Sequence, residues 1–99
     1  MIRHVVLLRW SEPLTDDARR AFAAALDALP GSIPEIVSYE HGADLGVVAG
    51  NYDYAVTATF ARPEDFPIYR DHPAHQALIA EHIAPRVADR AAVQFSLGD

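Results

Sequence analysis

The sequence predicts an α+β fold in which a four-stranded antiparallel sheet carries its helices on one face. Three observations support this prediction. Four segments alternate side chains with the period of two that is typical of strands, and amphipathic segments at helical spacing lie between them. The order of these segments is β-α-β-β-α-β, in which the second helix is split in two. With 99 residues, the chain is expected to form one domain over residues 1–99.

The first half of the chain is expected to supply two strands and a long helix. Residues 2–10 have two largely apolar faces, which indicates a strand that is covered on both sides. Thr15 is a good N-cap for a helix with apolar residues at helical spacing, and Pro30-Gly31 is expected to end that helix. Residues 36–41 read as the second strand, and the glycine-containing segment 42–51 reads as a loop.

The second half is expected to add a strand, a broken helix and a last strand. Residues 52–60 alternate as a strand, and a short helix is expected over about residues 63–70. Pro73 disfavours the α conformation in the residue before it but suits the first position of a helix, so a second helix is expected from Pro73 to about Ala84. The alternating residues of the last strand are Ala91, Val93, Phe95 and Leu97. This order is the ferredoxin-like pattern.

One face of the predicted sheet is too apolar to be left in water. Half of the residues are hydrophobic (51%), which is a high share for so small a domain. If both helices cover the same face, the opposite face remains uncovered. Two such faces closing on each other would bury this surface, so we expect a homodimer. The members expected on the uncovered face are Arg3, Val5, Leu7, Ala55 and Thr57.

Composition excludes several classes of function. The net charge of −6 argues against a nucleic-acid partner, because the chain has no excess of cations to displace the counterions of phosphate. The absence of cysteine excludes disulfides, thiolate nucleophiles and zinc sites built on cysteine. No apolar run approaches the ~20 residues of a membrane span, and the amino terminus does not resemble a signal peptide. We therefore expect a soluble, cytoplasmic protein without a membrane partner.

The segment from Tyr69 to His75 carries the residues best suited to chemistry. It places a phenol and two imidazoles, those of His72 and His75, around the break at Pro73. His75 is expected at the third position of a helix, where the helix dipole disfavours its imidazolium form. The neutral imidazole that results is a suitable general base. Tyr69 could donate a hydrogen bond to a ketone oxygen. Together they suggest proton abstraction next to a carbonyl.

Each of these residues also has a purely structural interpretation. His75 could bond to the main chain at the break, and Tyr69 could lie in the core. His4 shares an apolar strand face with its neighbours, where a histidine is commonly a hydrogen-bonded core residue. His72 could serve the backbone or a subunit contact.

Other kinds of site are less well supported. A metal site would use Asp71, His72 and His75, with His4 as a further ligand, but nothing in the sequence forces these ligands to converge, so no metal or cofactor is expected. The serines lack a base partner for nucleophilic catalysis, and the glycines of the 42–51 loop do not have phosphate-loop spacing. His41 and His82 are expected to be isolated surface residues without a role.

These motifs resemble the stress-responsive dimeric α/β barrel family, called Dabb, the family that includes plant olivetolic acid cyclase. The similarity covers nearly the whole chain, and its most specific elements are the early histidine and the His-Pro-Ala-His sequence. Members of the family form homodimers in which two sheets make one barrel. The matching segments are His4-Val5-Val6-Leu7, Leu29-Pro30, Ile33-Pro34, Tyr52-Asp53-Tyr54-Ala55, Tyr69, His72-Pro73-Ala74-His75 and Pro85 to Phe95.

The resemblance implies candidate roles for the motif residues. In the plant cyclase, a histidine and a tyrosine of this motif catalyse an intramolecular aldol reaction that closes a linear polyketide. The matching positions here are His75 and Tyr69, while His4 matches a histidine that lines the same pocket. His72 matches a motif histidine and is placed with the residues that contact substrate. Relatives that are not cyclases share the same motif, so the motif alone does not establish the activity.

The resulting hypothesis is a cofactor-free homodimer with an apolar pocket for a small, mainly apolar carbonyl compound of polyketide type. Two alternatives remain open. One is a non-enzymatic, stress-associated dimer that binds a small ligand, and the other is a cofactor-independent oxygenase, which rests on fold analogy alone. The expected apolar wall of the pocket consists of Trp10, Phe22, Leu26 and Leu78.

Overall fold

The computed structural model describes residues 1–98 and confirms the ferredoxin-like α+β fold. The four strands are antiparallel and lie in the order β2-β3-β1-β4, so that β1 is central and β4 forms one edge of the sheet. The elements are β1 (Ile2–Trp10), α1 (Asp16–Ser32), β2 (Ile36–Ala43), β3 (Tyr54–Phe60), α2 (Asp65–Asp71), α3 (Pro73–Leu78), a π-helical turn (Ile79–Ile83) and β4 (Val87–Ser96).

The core lies between the helices and one face of the sheet. On β1 this face contributes His4 and Leu8, which pair with Ala58 and Tyr54 on β3. The spacing of two along each strand places all of these side chains on the helical side. His4 is therefore a core position as well as a candidate site residue. The apolar core residues are Leu8, Phe22, Leu26, Leu29, Ile33, Ile36, Tyr54, Val56, Ala58, Phe60, Tyr69 and Leu78.

Helix α1 does not end before Pro30, contrary to the sequence prediction. Its start is as predicted, because Thr15 Oγ1 accepts a hydrogen bond from the Ala18 backbone N–H at 3.1 Å. Pro30 lies in the last turn, where the missing N–H removes one hydrogen bond without stopping the helix. The backbone N–H of Ile33, which is fully buried, then closes the helix on the Leu29 carbonyl at 3.0 Å.

The first or last residues of three strands also differ from the sequence prediction. Strand β2 runs on to Ala43 and includes Gly42, which was expected in the loop, because both residues pair with β3. Strand β3 begins at Tyr54, two residues later than expected. Strand β4 begins at Val87 and pairs along the whole of β1, whereas Leu97 lies beyond its end. Pairing between strands, which composition does not reveal, sets these limits.

The break in the second helix is confirmed. Helix α2 ends at Asp71, His72 is extended (φ −63°, ψ 136°), and Pro73 opens α3. Helix α3 ends at Leu78, and the helix expected to run to about Ala84 continues as the π-helical turn, in which the Ala84 N–H bonds to the Ile79 carbonyl at 2.8 Å.

The outer face of the sheet carries an apolar surface that the chain's own helices do not cover. Val5 and Leu7 on β1 are only partly buried. On β4, Val93 is 56% exposed and Phe95 is 46% exposed, and the register places Val93 beside Val5. A connected apolar surface of this kind favours burial against another surface.

The cap of α1 can be tested directly. We expect Thr15→Ala to lower the free energy of unfolding by about 1 kcal/mol, because the Ala18 N–H loses its acceptor. Thr15→Ser keeps the hydroxyl and should unfold within ~0.5 kcal/mol of the unsubstituted protein. Urea titration followed by circular dichroism measures both variants, and equal losses for alanine and serine would show that the cap does not stabilise the helix.

Candidate functional site

The break between α2 and α3 fixes the orientation of His75. Its Nδ1 lies 2.9 Å from the carbonyl oxygen of Arg70, in the last turn of α2. A carbonyl only accepts hydrogen bonds, so Nδ1 carries the hydrogen and donates it. In the neutral ring, Nε2 therefore keeps its lone pair. The sequence prediction that His75 lies in the first turn of the next helix is confirmed.

The environment of His75 keeps its imidazole neutral. Burial lowers the pKa of His75 below its usual value, and the positive charges of Arg90 and His72 act in the same direction. The hydrogen bond to the Arg70 carbonyl and the charge of Asp71 oppose this shift without reversing it. The sequence analysis attributed the neutral form to the helix dipole, but the largest cause is burial.

Tyr69 lies against His75 and is held by a second tyrosine. The ring centroids of Tyr69 and His75 are 4.1 Å apart, and Tyr69 is 3% exposed. Its hydroxyl oxygen lies 2.8 Å from that of Tyr39 on β2. Burial raises the pKa of both phenols; the bond between them raises the pKa of Tyr39 further and lowers that of Tyr69. Either hydroxyl can donate this hydrogen bond; when Tyr39 donates, the hydroxyl hydrogen of Tyr69 is left for another acceptor.

His4 forms the floor of the site on β1. It is 3% exposed, and its ring centroid lies 4.7 Å from that of Phe66 and 6.2 Å from that of Tyr69. Its Nδ1 lies 2.7 Å from the side-chain amide nitrogen of Gln94, which donates to it. Burial, followed by the charges of Arg90 and His75, lowers the pKa of His4 to about 4. The ring is therefore neutral, with its hydrogen on Nε2.

The edge strand β4 lies beside His4 on the helical side of the sheet. The register places Gln94 beside His4 and Arg90 beside Leu8, so both side chains lie on the helical side of the sheet. Arg90, Ala92 and Gln94 are all exposed, because no helix covers this strand. The sequence analysis missed Arg90 and Gln94 as site residues. The alternation Ala91, Val93, Phe95 already implied that the even-numbered residues between them face the helices.

The other predicted substrate contacts lie elsewhere in the fold. Trp10 and Phe22 stack in a second aromatic group around Tyr54, with centroid distances of 5.6 Å between Trp10 and Phe22 and 5.0 Å between Phe22 and Tyr54. Leu26 and Leu78 are buried in the core. Among the ring contacts of residues 1–98, none joins this group to His4, Tyr69 or His75. That these four residues line the pocket remains a prediction.

His72 has a structural role in the folded chain. Its Nδ1 accepts a hydrogen bond from the Ala74 N–H at 3.0 Å. This hydrogen bond caps the N-terminus of α3 directly after the break. This agrees with the structural interpretation of His72, and a contact between His72 and substrate remains a prediction.

The expectation that His41 and His82 are isolated on the surface is wrong. The His41 side chain is 11% exposed; its Nε2–H donates to the Asp27 carboxylate at 2.6 Å, and its Nδ1 accepts from the Tyr54 hydroxyl at 2.7 Å. This chain of hydrogen bonds ties α1, β2 and β3 together. The His82 side chain is 12% exposed and packs 6.0 Å from the Phe22 ring. Helical and strand spacing did not reveal these contacts, which join distant parts of the sequence.

Metal clusters and membrane-spanning helices were searched for in the part of the chain that the structure describes. Over residues 1–98, no three histidine, aspartate or glutamate side chains converge to hold a metal ion. No helix in this range is long and apolar enough to cross a bilayer. Two cavities of about 480 and 490 Å³ lie beside the β2–β3 loop and the end of β1, and neither is lined by His4, Tyr69 or His75.

The lowered pKa of His4 predicts a loss of stability in acid. The unfolded chain binds a proton on His4 below pH 6.5, whereas the folded chain binds it only near pH 4. The free energy of unfolding should therefore fall as the pH drops from 6.5 to 4, by about 3 kcal/mol from this one residue. Burial also lowers the pKa of His75, so protonation of His75 should lower the free energy of unfolding in acid as well.

Urea unfolding at fixed protein concentration between pH 7.5 and pH 4 measures this effect. His4→Phe removes the titrating group, so the variant should lose less stability over this range than the unsubstituted protein. Equal losses in the two proteins would contradict the assignment, as would an NMR titration in which the His4 ring protonates near pH 6.5.

Comparison with known proteins agrees with this architecture. The stress responsive A/B barrel domain, Dabb, matches residues 2–97. A dimeric ferredoxin-like protein of unknown function from Thermobifida fusca is 50% identical, with a TM-score of 0.88, over 97% of this chain and 90% of that one. An uncharacterized protein, SCO4036, from Streptomyces coelicolor is 32% identical over 82 residues, which cover 81% of this chain and 84% of the relative.

An enzyme shares the fold at lower identity. The hydroxynitrile lyase from Passiflora edulis superposes with a TM-score of 0.80 and 22% identity, over 95% of this chain and 90% of the lyase. At this identity the similarity concerns the fold alone. The match to the domain over nearly the whole length shows the family, and the chain belongs to the Dabb family of stress responsive A/B barrel domains.

Proposed function

We propose that this chain forms a homodimer whose His75, Tyr69 and His4 act without a cofactor on a small, mainly apolar carbonyl compound, in a reaction of the polyketide cyclase type. One observation carries the proposal. The Arg70 carbonyl holds Nδ1 of His75 at 2.9 Å, which leaves the lone pair of Nε2 available as a base, and the His75 and Tyr69 ring centroids are 4.1 Å apart. A base and a hydrogen-bond donor in contact are what enolisation requires.

The proposed reaction begins with proton transfer from carbon. Nε2 of His75 takes a proton from the carbon next to a ketone, and the electron pair of that C–H bond moves into the enolate. Tyr69 donates a hydrogen bond to the enolate oxygen. The enolate carbon then attacks a second carbonyl of the same molecule, which forms the ring C–C bond. The new alkoxide takes the proton back from His75, so the base is restored.

Tyr39 has a positioning role in this scheme. When the Tyr39 hydroxyl donates to that of Tyr69, 2.8 Å away, the hydroxyl hydrogen of Tyr69 is free to point at the enolate oxygen. His4 remains neutral at pH 7 and carries its hydrogen on Nε2, so it can donate to a bound carbonyl without introducing charge. The hydrogen bonds made by these side chains restrict their rotation before a ligand arrives, which is favourable for catalysis.

Binding without turnover is the second candidate. The bonds from His75 to Arg70 and from Tyr39 to Tyr69 also satisfy polar groups that are buried, as a stable ligand-binding protein would require. On this alternative the same site would hold a small carbonyl compound and release it unchanged. A measurement of proton exchange on a bound ketone separates the two candidates.

The homodimer rests on the uncovered outer face of the sheet. Val93 and Phe95 are about half exposed there, beside the partly buried Val5 and Leu7. The relative from Thermobifida fusca, 50% identical, is described as dimeric. Closure of two such faces would bury the apolar surface of both subunits in one step.

Proton abstraction by His75 can be measured without knowledge of the natural substrate. In D₂O the protein should speed the exchange of the α-hydrogens of 2-heptanone, which is followed by proton NMR. We expect His75→Ala to lower this rate by about 10²-fold or more, because the base is removed. Tyr69→Phe should lower it by about 10-fold or more, because the enolate loses a donor.

Gln76→Ala is the matched control for these variants. Gln76 donates to the same Arg70 carbonyl as His75 but contributes no base, so its loss should change the rate by less than ~2-fold. Exchange that His75→Ala leaves unaltered would contradict the catalytic role. If the ketone binds in NMR titrations but its hydrogens do not exchange, the second candidate is favoured.

The dimer can be tested on its outer face. We expect light scattering to give the mass of two chains at micromolar concentration, with an interface above ~1,200 Å² in total. Val93→Glu places a charge in this interface and should give a monomer. Ala24→Glu, on the exposed side of α1, adds the same charge and should leave the dimer intact. A single-chain mass for the unsubstituted protein would overturn the prediction.

A further inference from the structure

Arg90 is a cation at the open side of the site without an anionic partner. Among residues 1–98, no carboxylate lies within ion-pair distance of its guanidinium, and no hydrogen-bond acceptor pairs with its side chain. Its neighbour Asp89 lies beside Arg9 in the register, on the opposite face of the sheet. There Asp89 accepts a hydrogen bond from the Tyr52 hydroxyl at 3.3 Å.

The position of Arg90 on β4 directs it toward the candidate site. It shares the helical side of the sheet with Gln94, which contacts His4. The charge of Arg90 reaches the site groups, since it contributes to the lowered pKa of both His4 and His75. Asp71, the acid at the break, is paired with Arg70 at 2.9 Å. His4 and His75 are neutral at pH 7, so neither compensates the charge of Arg90.

We propose that Arg90 binds a carboxylate of the ligand, so that the site selects oxo acids over neutral ketones. This inference rests on the proposed function, because it assumes that the ligand carbonyl lies at His75 and Tyr69. The guanidinium presents a planar set of donors that matches the two oxygens of a carboxylate. An exposed arginine at the mouth of an otherwise neutral site gives the bound ligand a fixed direction, with its anionic end over β4.

The spacing along the strand indicates how far apart the two ends of the ligand lie. Gln94, beside His4, and Arg90 are four residues apart, which corresponds to roughly 13 Å along an extended strand. An arginine side chain that folds back along the strand would shorten this distance. The ligand should therefore carry several carbons between its carboxylate and the ketone that reacts. A linear oxo acid such as 7-oxooctanoate is a suitable probe, and its methyl ester is a neutral analogue of nearly the same shape.

The comparison of these two probes tests the proposal. By NMR titration of the labelled protein, we expect 7-oxooctanoate to bind at least 10-fold more tightly than its methyl ester in low salt, and this preference should decrease in 200 mM salt. Arg90→Gln should bring the two dissociation constants within ~2-fold of each other without changing that of the ester. Arg90→Lys should keep part of the preference, since it retains the charge without the planar donors.

The control is a variant with the same change of net charge. Arg20→Gln removes a cation that is paired with Asp17 on the exposed side of α1, so it should keep the full preference for the acid. The proposal is overturned if acid and ester bind equally to the unsubstituted protein, if neither binds, or if Arg90→Gln keeps the preference.

Failure of this inference and failure of the proposed function give different results. His75→Ala leaves Arg90 in place, so the preference for the acid should persist in that variant even though exchange of 2-heptanone is lost. If the unsubstituted protein prefers the acid but exchanges no ketone hydrogens, the carboxylate site stands and the catalytic role of His75 fails. If exchange depends on His75 but the preference is absent, the carboxylate site fails and the general base stands.

Discussion

The hydrogen bond from His75 to the Arg70 carbonyl is the interaction on which the site depends. It joins the last turn of one helix to the first turn of the next across a break that Pro73 imposes. Without the break, the Arg70 carbonyl would be used within a continuous helix and His75 would have no acceptor there. The same bond selects the tautomer of the imidazole and thereby decides which nitrogen can act as a base.

Burial of neutral groups is the second constraint. His4 and Tyr69 are almost fully buried, and each has its polar atom satisfied by a side chain from another strand, Gln94 or Tyr39. Charge on any of these groups would carry a large desolvation cost. A site of this kind can move a proton between carbon and an imidazole without building up unpaired charge, provided that the enolate oxygen finds a donor. These neutral, hydrogen-bonded groups are the ones on which the proposed carbonyl chemistry depends.

The sequence allowed the fold to be predicted better than the full site. Alternation along the strands and the spacing in α1 predicted the order of the elements, and Pro73 predicted the break that brings Tyr69 and His75 together. The helix end at Pro30 was predicted wrongly, because a proline in the last turn removes one bond while the buried Ile33 still closes the helix. Local sequence patterns do not reveal that Ile33 is buried in the folded protein.

Two of the residues that were missed, Tyr39 and Gln94, are hydrogen-bond partners far away in the sequence. Tyr39 bonds to Tyr69 from 30 positions away, and Gln94 bonds to His4 from 90 positions away. The register of the sheet determines which residues meet, and register follows from pairing along the whole strand. His41 was misjudged for the same reason, since its partners Asp27 and Tyr54 lie on different elements. The type of a residue and its place in the sequence identify a side chain that can take part in a reaction. They do not identify the neighbour that orients this side chain.

Strand β4 belongs both to the proposed dimer interface and to the candidate site, because its two faces carry different side chains. Val93 and Phe95 present an apolar surface outward, while Arg90 and Gln94 present polar groups to the site. A strand at the edge of a sheet pairs with one neighbour only, and for β4 that neighbour is β1. Burial of Val93 in a dimer would restrict the movement of β4, and with it the positions of Gln94 at His4 and of Arg90 at the open side. Dimer formation would then set the geometry of the site even though the residues that act on the ligand belong to one chain.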